Sequence, residues 1–124
     1  MKVVLLDDSP IVRAATRDTL EDAGMRVVAI DNPFLLGSTV RREHPDIVLL
    51  DVVMPLLRGD DVAKIVRENR QVAEVPFVLY SDAPAATLAA KAAECGAVGF
   101  IQKSVSEEEL AQQVRRFASA IPVW

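Results

Sequence analysis

The sequence has few of the residues that build covalent or metal-bound frameworks. It contains one cysteine, Cys95, and one histidine, His44, in 124 residues. A single cysteine allows no internal disulfide and no cysteine-based zinc cluster. Because no histidine lies near Cys95 in the sequence, we interpret Cys95 as a packing residue at a helix end. We interpret His44, which precedes Pro45, as a solvated turn residue.

Long apolar runs and clusters of basic residues are also missing. No stretch approaches the ~20 apolar residues that span a bilayer, and the apolar opening Val3–Leu6 is too short for a signal peptide. A net charge of -4 and a pI near 4.9 argue against direct nucleic-acid binding. The balance of 51% hydrophobic and 26% charged residues predicts one soluble cytoplasmic domain spanning residues 1–124.

What the sequence does contain is a set of five short apolar runs, each followed by polar side chains. They are Val3–Leu6, Val27–Ile30, Ile47–Leu50, Phe77–Tyr80 and Val98–Ile101. Runs without alternating polar residues are typical of strands buried on both faces of a parallel sheet.

A helix signal follows each of these runs. Ser9-Pro10 and Asn32-Pro33 pair a capping side chain with a proline suited to the first helical turn, and Ser106 with Glu109 has the spacing of a capping box. The other helices are predicted after Gly59 and Pro84. The apolar positions expected to face the core are Val12, Ala15 and Leu20; Phe34, Leu36 and Val40; Val62, Ile65 and Val66; and Leu110, Val114 and Phe117.

This alternation predicts an α/β domain with a parallel sheet covered by helices on both faces. A five-stranded doubly wound sheet is the simplest topology under the right-handed crossover rule. Sequence spacing alone leaves open which strands are adjacent.

Polar residues at the strand ends predict a site, because parallel strands share one carboxyl edge where ligands bind. If Asp7, Asp8 and Asp51 share a pocket, their repulsion favours a bound cation, and carboxylate oxygens suit Mg²⁺. Lys103 offers a positive charge for a phosphate oxygen, and Ser81 offers a hydroxyl donor. Together these groups predict phosphoryl transfer to a carboxylate.

The motif residues resemble the receiver domain of bacterial response regulators. The matching positions are Asp7-Asp8, Asp51 with Met54-Pro55 and Gly59, Ser81, and Phe100 three residues before Lys103. The resemblance covers essentially the whole chain. It implies a flavodoxin-like fold with five strands in the order 2-1-3-4-5 and five helices.

The resemblance also implies a role for each site residue. Asp51 would accept a phosphoryl group from a histidine kinase or a phosphotransfer protein. Asp8, Asp51 and the backbone carbonyl of Val53 would bind Mg²⁺ directly, with Asp7 helping through water. Lys103 would pair with the phosphate.

Ser81 and Phe100 are the switch residues that the resemblance implies. They would reshape a surface formed by the fourth helix, the fifth strand and the fifth helix, which a downstream partner, an output domain or a second copy of the chain would bind. Such a domain is not an enzyme in the usual sense, since it catalyses only its own phosphorylation and dephosphorylation.

Two departures from the family pattern keep other functions open. Ser104 stands where the family usually has a cis proline, and a cis bond before a non-proline residue costs ~2.5–4 kcal/mol, so we expect a trans peptide after Lys103. Asp82 replaces a small residue beside Ser81. These departures leave a pseudo-receiver interaction module as the alternative. An aspartyl-phosphate phosphohydrolase would need a second acid at the position of Val53.

Overall fold

The computed structural model describes residues 1–51 and 74–119. The strands are β1 (Lys2–Leu6), β2 (Arg26–Ile30), β3 (Ile47–Leu50), β4 (Phe77–Ser81) and β5 (Gly99–Gln102). The helices are α1 (Pro10–Asp22), α2 (Leu36–Glu43), α3 (Ala85–Cys95) and α4 (Glu107–Ala118), with a 3₁₀ turn at Pro33–Leu35 before α2. The third predicted helix, with Val62, Ile65 and Val66, lies outside the described residues. The fourth and fifth predicted helices are therefore α3 and α4.

All five strands form one parallel sheet in the order β2-β1-β3-β4-β5. This order confirms the doubly wound α/β fold and the arrangement that the family resemblance implies. The register pairs Leu6 of β1 with Leu50 of β3, so the residues that follow these two strands emerge side by side.

The core lies on both faces of the sheet. Val4 and Leu6 of β1 pack on one face in a cluster that also contains Leu36 and Leu88, from α2 and α3. The second cluster lies on the other face, where it combines strand residues with Leu20, Leu110 and Val114 from α1 and α4. Because helices cover both faces, each strand is apolar on both sides, which explains the uninterrupted runs in the sequence.

The prediction that two apolar residues, Ala15 and Phe34, face the core is wrong. Ala15 is exposed, because the buried positions of α1 are Thr16 and Leu20, with Val12 partly buried, at a spacing of four residues. Phe34 is 76% exposed. It lies in the 3₁₀ turn, and α2 begins only at Leu36, so Phe34 is not part of the inner face of that helix.

The helix ends follow the predicted capping chemistry. Ser9 Oγ accepts a hydrogen bond from the Val12 N–H, and Ser106 Oγ accepts one from the Glu109 N–H. The Glu109 carboxylate, which was expected to complete a capping box, accepts a hydrogen bond from Gln113 instead. His44 is an exposed residue with a φ of 49° at the end of α2, as expected of a turn residue.

Cys95 ends α3 and is partly buried against the first cluster. Burial raises the pKa of its thiol, so the thiolate is disfavoured and the packing interpretation holds. In the part of the chain that the structure describes, no helix combines the length and apolar character needed to cross a membrane.

Gly99 of β5 is in close contact with Phe117 of α4. A Cβ atom at Gly99 would lie 2.5 Å from Phe117 Cε1 and 2.6 Å from Cζ. We therefore expect Gly99→Ala to lower the free energy of unfolding by about 1–3 kcal/mol in urea titrations, because the ring must shift. In a Phe117→Leu background the same change should cost clearly less. An equal cost in both backgrounds would show that the ring contact is not responsible.

Candidate functional site

Three carboxylates meet at the carboxyl edge of the sheet. Asp7 directly follows β1 and Asp51 directly follows β3, and the Asp51 N–H donates to the Leu6 carbonyl at 2.9 Å. Asp7 and Asp51 are buried, with 0% and 3% of their surface exposed, whereas Asp8 is exposed. Each of the three offers one carboxylate oxygen, and these oxygens lie within 4.8 Å of one another.

Lys103, which follows the border strand β5, brings a positive charge to this cluster. Its backbone N–H donates to the Ser81 carbonyl at 3.0 Å, which fixes the start of the loop after β5. Its ammonium lies 2.8 Å from Asp7 Oδ2 and 3.2 Å from Asp51 Oδ2, and 11% of the side chain is exposed. The site therefore combines three carboxylates with one ammonium.

The charges around Lys103 decide its protonation. Burial alone would lower the pKa of Lys103, but the interactions with Asp7 and Asp51 outweigh it, so the pKa lies above the ordinary value for lysine. The side chain is a permanent cation at neutral pH.

The carboxylate oxygens of the cluster could bind one more cation. The buried Asp7 Oδ2 lies 2.8 Å from the Lys103 ammonium and has no other polar partner within the described residues. The contact of Asp7 Oδ2 with Lys103 is an ion pair. Three carboxylates, one of them at the exposed side, fit Mg²⁺, which binds one or two carboxylates and keeps several waters. The predicted backbone ligand, Val53, lies outside the described residues.

Ser81 and Phe100 lie on β4 and β5, the two strands between β3 and the border of the sheet. Ser81 ends β4 and is buried, and its Oγ accepts a hydrogen bond from the Ala83 N–H at 3.2 Å. The Gln102 side chain of β5 donates to the Ala83 carbonyl at 3.2 Å, so both the N–H and the carbonyl of Ala83 are hydrogen-bonded. Phe100 of β5 is partly buried against the first cluster.

The sequence reasoning missed Tyr80 and Thr16. Tyr80 Oη and Thr16 Oγ1 share a hydrogen bond of 3.0 Å, and both side chains are buried. The Lys103 ammonium lies 5.5 Å from the centroid of the Tyr80 ring. The available signal was that the only tyrosine of the chain ends the apolar run Phe77–Tyr80, directly before Ser81.

The other strand-end residues lie as follows. Asp31 is exposed at the end of β2, and Asp82 is exposed beside Ser81. The peptide between Lys103 and Ser104 is trans, as expected without proline, since residues 1–51 and 74–119 contain no cis bond.

The carboxylate cluster has more negative than positive charge, and Asp8 is its exposed member. Substitution of Asp8 therefore tests the cation site directly. We expect Asp8→Asn to raise Tm by about 2–5 °C in metal-free buffer, because one like charge is removed, and to reduce the further increase in Tm on adding Mg²⁺. Asp18→Asn, at an exposed position later in α1, changes the net charge equally and is the control. The assignment fails if Asp18→Asn produces the same two effects.

Known proteins are similar to this chain in sequence and architecture. Residues 3–115 match the family described as the response regulator receiver domain. The chain is 32% identical over 115 residues to the C4-dicarboxylate transport transcriptional regulatory protein DctD of Pseudomonas aeruginosa, covering 93% of this chain and 24% of that protein. It is 26% identical over 113 residues to Protein PilH of the same species, covering 91% of this chain and 93% of that protein. The chain thus spans about a quarter of the length of DctD but nearly all of PilH.

A solved structure supports the same relationship. The BeF₃-activated N-terminal receiver domain of Klebsiella pneumoniae RstA matches with a TM-score of 0.82 and 26% identity, covering 97% of this chain and all of that one. Since the family match extends over nearly the entire sequence and the sheet order agrees with it, the chain belongs to the response regulator receiver domain family.

Proposed function

We propose that residues 1–124 form one receiver domain that accepts a phosphoryl group on Asp51 from a phospho-histidine donor. A histidine kinase or a phosphotransfer protein would be the donor, and the cytoplasm, where such kinases have ATP, would be the location. The observation that carries the proposal is the contact of the Lys103 ammonium with the buried carboxylates of Asp7 and Asp51. Membership of the receiver family supports the same function.

In the proposed reaction Asp51 is the nucleophile. A carboxylate oxygen of Asp51 forms a bond to phosphorus as the bond from phosphorus to the histidine nitrogen breaks, and that nitrogen keeps the electron pair. The other ring nitrogen of the phosphohistidine carries a proton, so the imidazole that leaves is neutral. Burial of Asp51 restricts the approach to the open side of the sheet edge, beside Asp8. Lys103 then offers its ammonium to an oxygen of the new acyl phosphate.

Bound Mg²⁺ would offset the negative charge that the phosphoryl group adds to an already acidic site. Asp8, Asp51 and the carbonyl of Val53 would hold it, and Asp7 would contribute through water. The carboxylate oxygens of Asp7, Asp8 and Asp51, which lie within 4.8 Å of one another, support this assignment.

The output of the proposed reaction is a change of surface. A phosphoryl group on Asp51 offers the Ser81 hydroxyl a new acceptor, and turning toward it would break the hydrogen bond from the Ala83 N–H, in the turn that leads into α3. Phe100 would move inward behind it. The face formed by α3, β5 and α4 would then bind a downstream partner, an output domain or a second copy of the domain.

The central test uses acetyl phosphate with Mg²⁺ and intact-mass spectrometry. The folded chain should gain ~80 Da, the mass of one phosphoryl group, and Asp51→Asn should abolish the gain. Asp31→Asn, an exposed acid at the same sheet edge, is the matched control and should keep it. Labelling that persists in Asp51→Asn would refute the acceptor assignment. If the wild-type chain gains no mass and shows no beryllofluoride-induced change, the pseudo-receiver alternative replaces the proposal.

Asp82 should slow phosphorylation by an anionic donor. It is exposed directly after Ser81, and its charge is among those that raise the pKa of the neighbouring Tyr80, where burial is the largest cause. We expect Asp82→Ala to raise the rate constant with acetyl phosphate roughly twofold to fivefold at low ionic strength, because a like charge beside the entry is removed.

The control for Asp82 is Glu94→Ala, which removes one exposed acid near the end of α3. It changes the net charge by the same amount without changing the charge next to Ser81. An equal increase in both variants would show that net charge, not the position of Asp82, sets the rate.

A further inference from the structure

The Tyr80 ring lies against the charged cluster from inside the protein. Tyr80 is 4% exposed and packs in the second cluster, between the sheet and the helices α1 and α4. The Lys103 ammonium, which contacts Asp7 and Asp51 by ion pairs, lies 5.5 Å from the centroid of this ring. Within ~6 Å, the face of an aromatic ring attracts a cation.

The ring itself is held in place by α1. Thr16 is a polar side chain on the buried face of that helix, and its hydroxyl lies 3.0 Å from Tyr80 Oη. Buried hydroxyl groups are costly unless they are paired, so each of these two groups fixes the orientation of the other. Burial raises the pKa of Tyr80, so the phenol keeps its proton and the hydrogen bond persists at neutral pH.

Lys103 needs such support because its own side chain is flexible. Its backbone is fixed by the hydrogen bond to the Ser81 carbonyl, but four rotatable bonds separate the backbone from the ammonium. The exposed Ser104 follows through a trans peptide. The groups that surround the ammonium therefore decide where it lies.

We propose that Tyr80 is a positioning residue whose ring, fixed by Thr16, holds the Lys103 ammonium against Asp7 and Asp51. The consequence for phosphoryl transfer rests on the proposed function of Lys103. An aliphatic residue at this position would fill the core equally well but would leave the ammonium without an attractive surface on its inner side.

The first readout is independent of phosphorylation. Ring currents shift protons that lie over an aromatic face, so NMR of the unphosphorylated full chain should show shifted Lys103 Hε resonances. Tyr80→Leu should return them toward the values of a solvated lysine. Tyr80→Phe keeps the ring but loses the hydrogen bond to Thr16, and Thr16→Val loses the same hydrogen bond. Each variant should therefore give Lys103 Hε shifts between those of wild type and Tyr80→Leu. The double variant should give the same shifts as either single variant.

The second readout is the rate of phosphorylation by acetyl phosphate. Tyr80→Leu should be about threefold to tenfold slower than wild type, corresponding to the loss of one cation–ring contact. Val78→Ala perturbs the same core cluster two residues earlier on β4 and is the control, with unchanged Lys103 resonances and rate. The proposal is overturned if Val78→Ala reproduces both effects of Tyr80→Leu, or if Tyr80→Leu changes neither.

The two readouts separate this inference from the proposed function. If the Lys103 resonances depend on Tyr80 but the wild-type chain gains no phosphoryl group on Asp51, the ring still positions the ammonium and the phosphorylation proposal fails. If Asp51 is phosphorylated but the Lys103 resonances are those of a solvated lysine, the proposed role of Tyr80 fails alone.

Discussion

The carboxyl edge of this domain depends on keeping two buried carboxylates beside each other. The register of β1 and β3 brings Asp7 and Asp51 together, because the paired residues Leu6 and Leu50 precede them directly. Like charges repel strongly where water is excluded. The Lys103 ammonium contacts both carboxylates and offsets this repulsion.

That electrostatic requirement extends into the surrounding structure. The loop after β5 is fixed through the Ser81 carbonyl, so the residue that supplies the cation is attached to the strand that carries the proposed switch hydroxyl. Behind it, Tyr80 and Thr16 connect the site to α1 through a hydrogen bond between residues 64 positions apart in sequence. The charged edge is therefore linked to the core on one face and to the turn before α3 on the other.

Local patterns in the sequence predicted the strands and the acidic edge. Strands buried on both faces appear as uninterrupted apolar runs, and the acids directly follow these runs. Strand adjacency needed the family resemblance, since spacing carries no information about neighbours. The apolar pattern of α1 predicted Ala15 as a core residue, whereas the buried residue is Thr16. The sequence around Thr16 could not show this, because its hydrogen-bond partner, Tyr80, lies on a distant strand. Phe34 was misplaced for a local reason, because a 3₁₀ turn precedes the helix and changes which side chains face inward.

The position of Lys103 directly after the border strand β5 has a consequence for how the sheet assembles. The strands β1 and β3 bring two negative charges together at the centre of the sheet, whereas the Lys103 ammonium arrives with β5 at its border. A partly folded chain without that last strand would lack the attraction of the Lys103 ammonium for Asp7 and Asp51. Attraction between the acidic centre and the arriving lysine therefore favours docking of the border strand, so the charges of the site also contribute to completing the sheet.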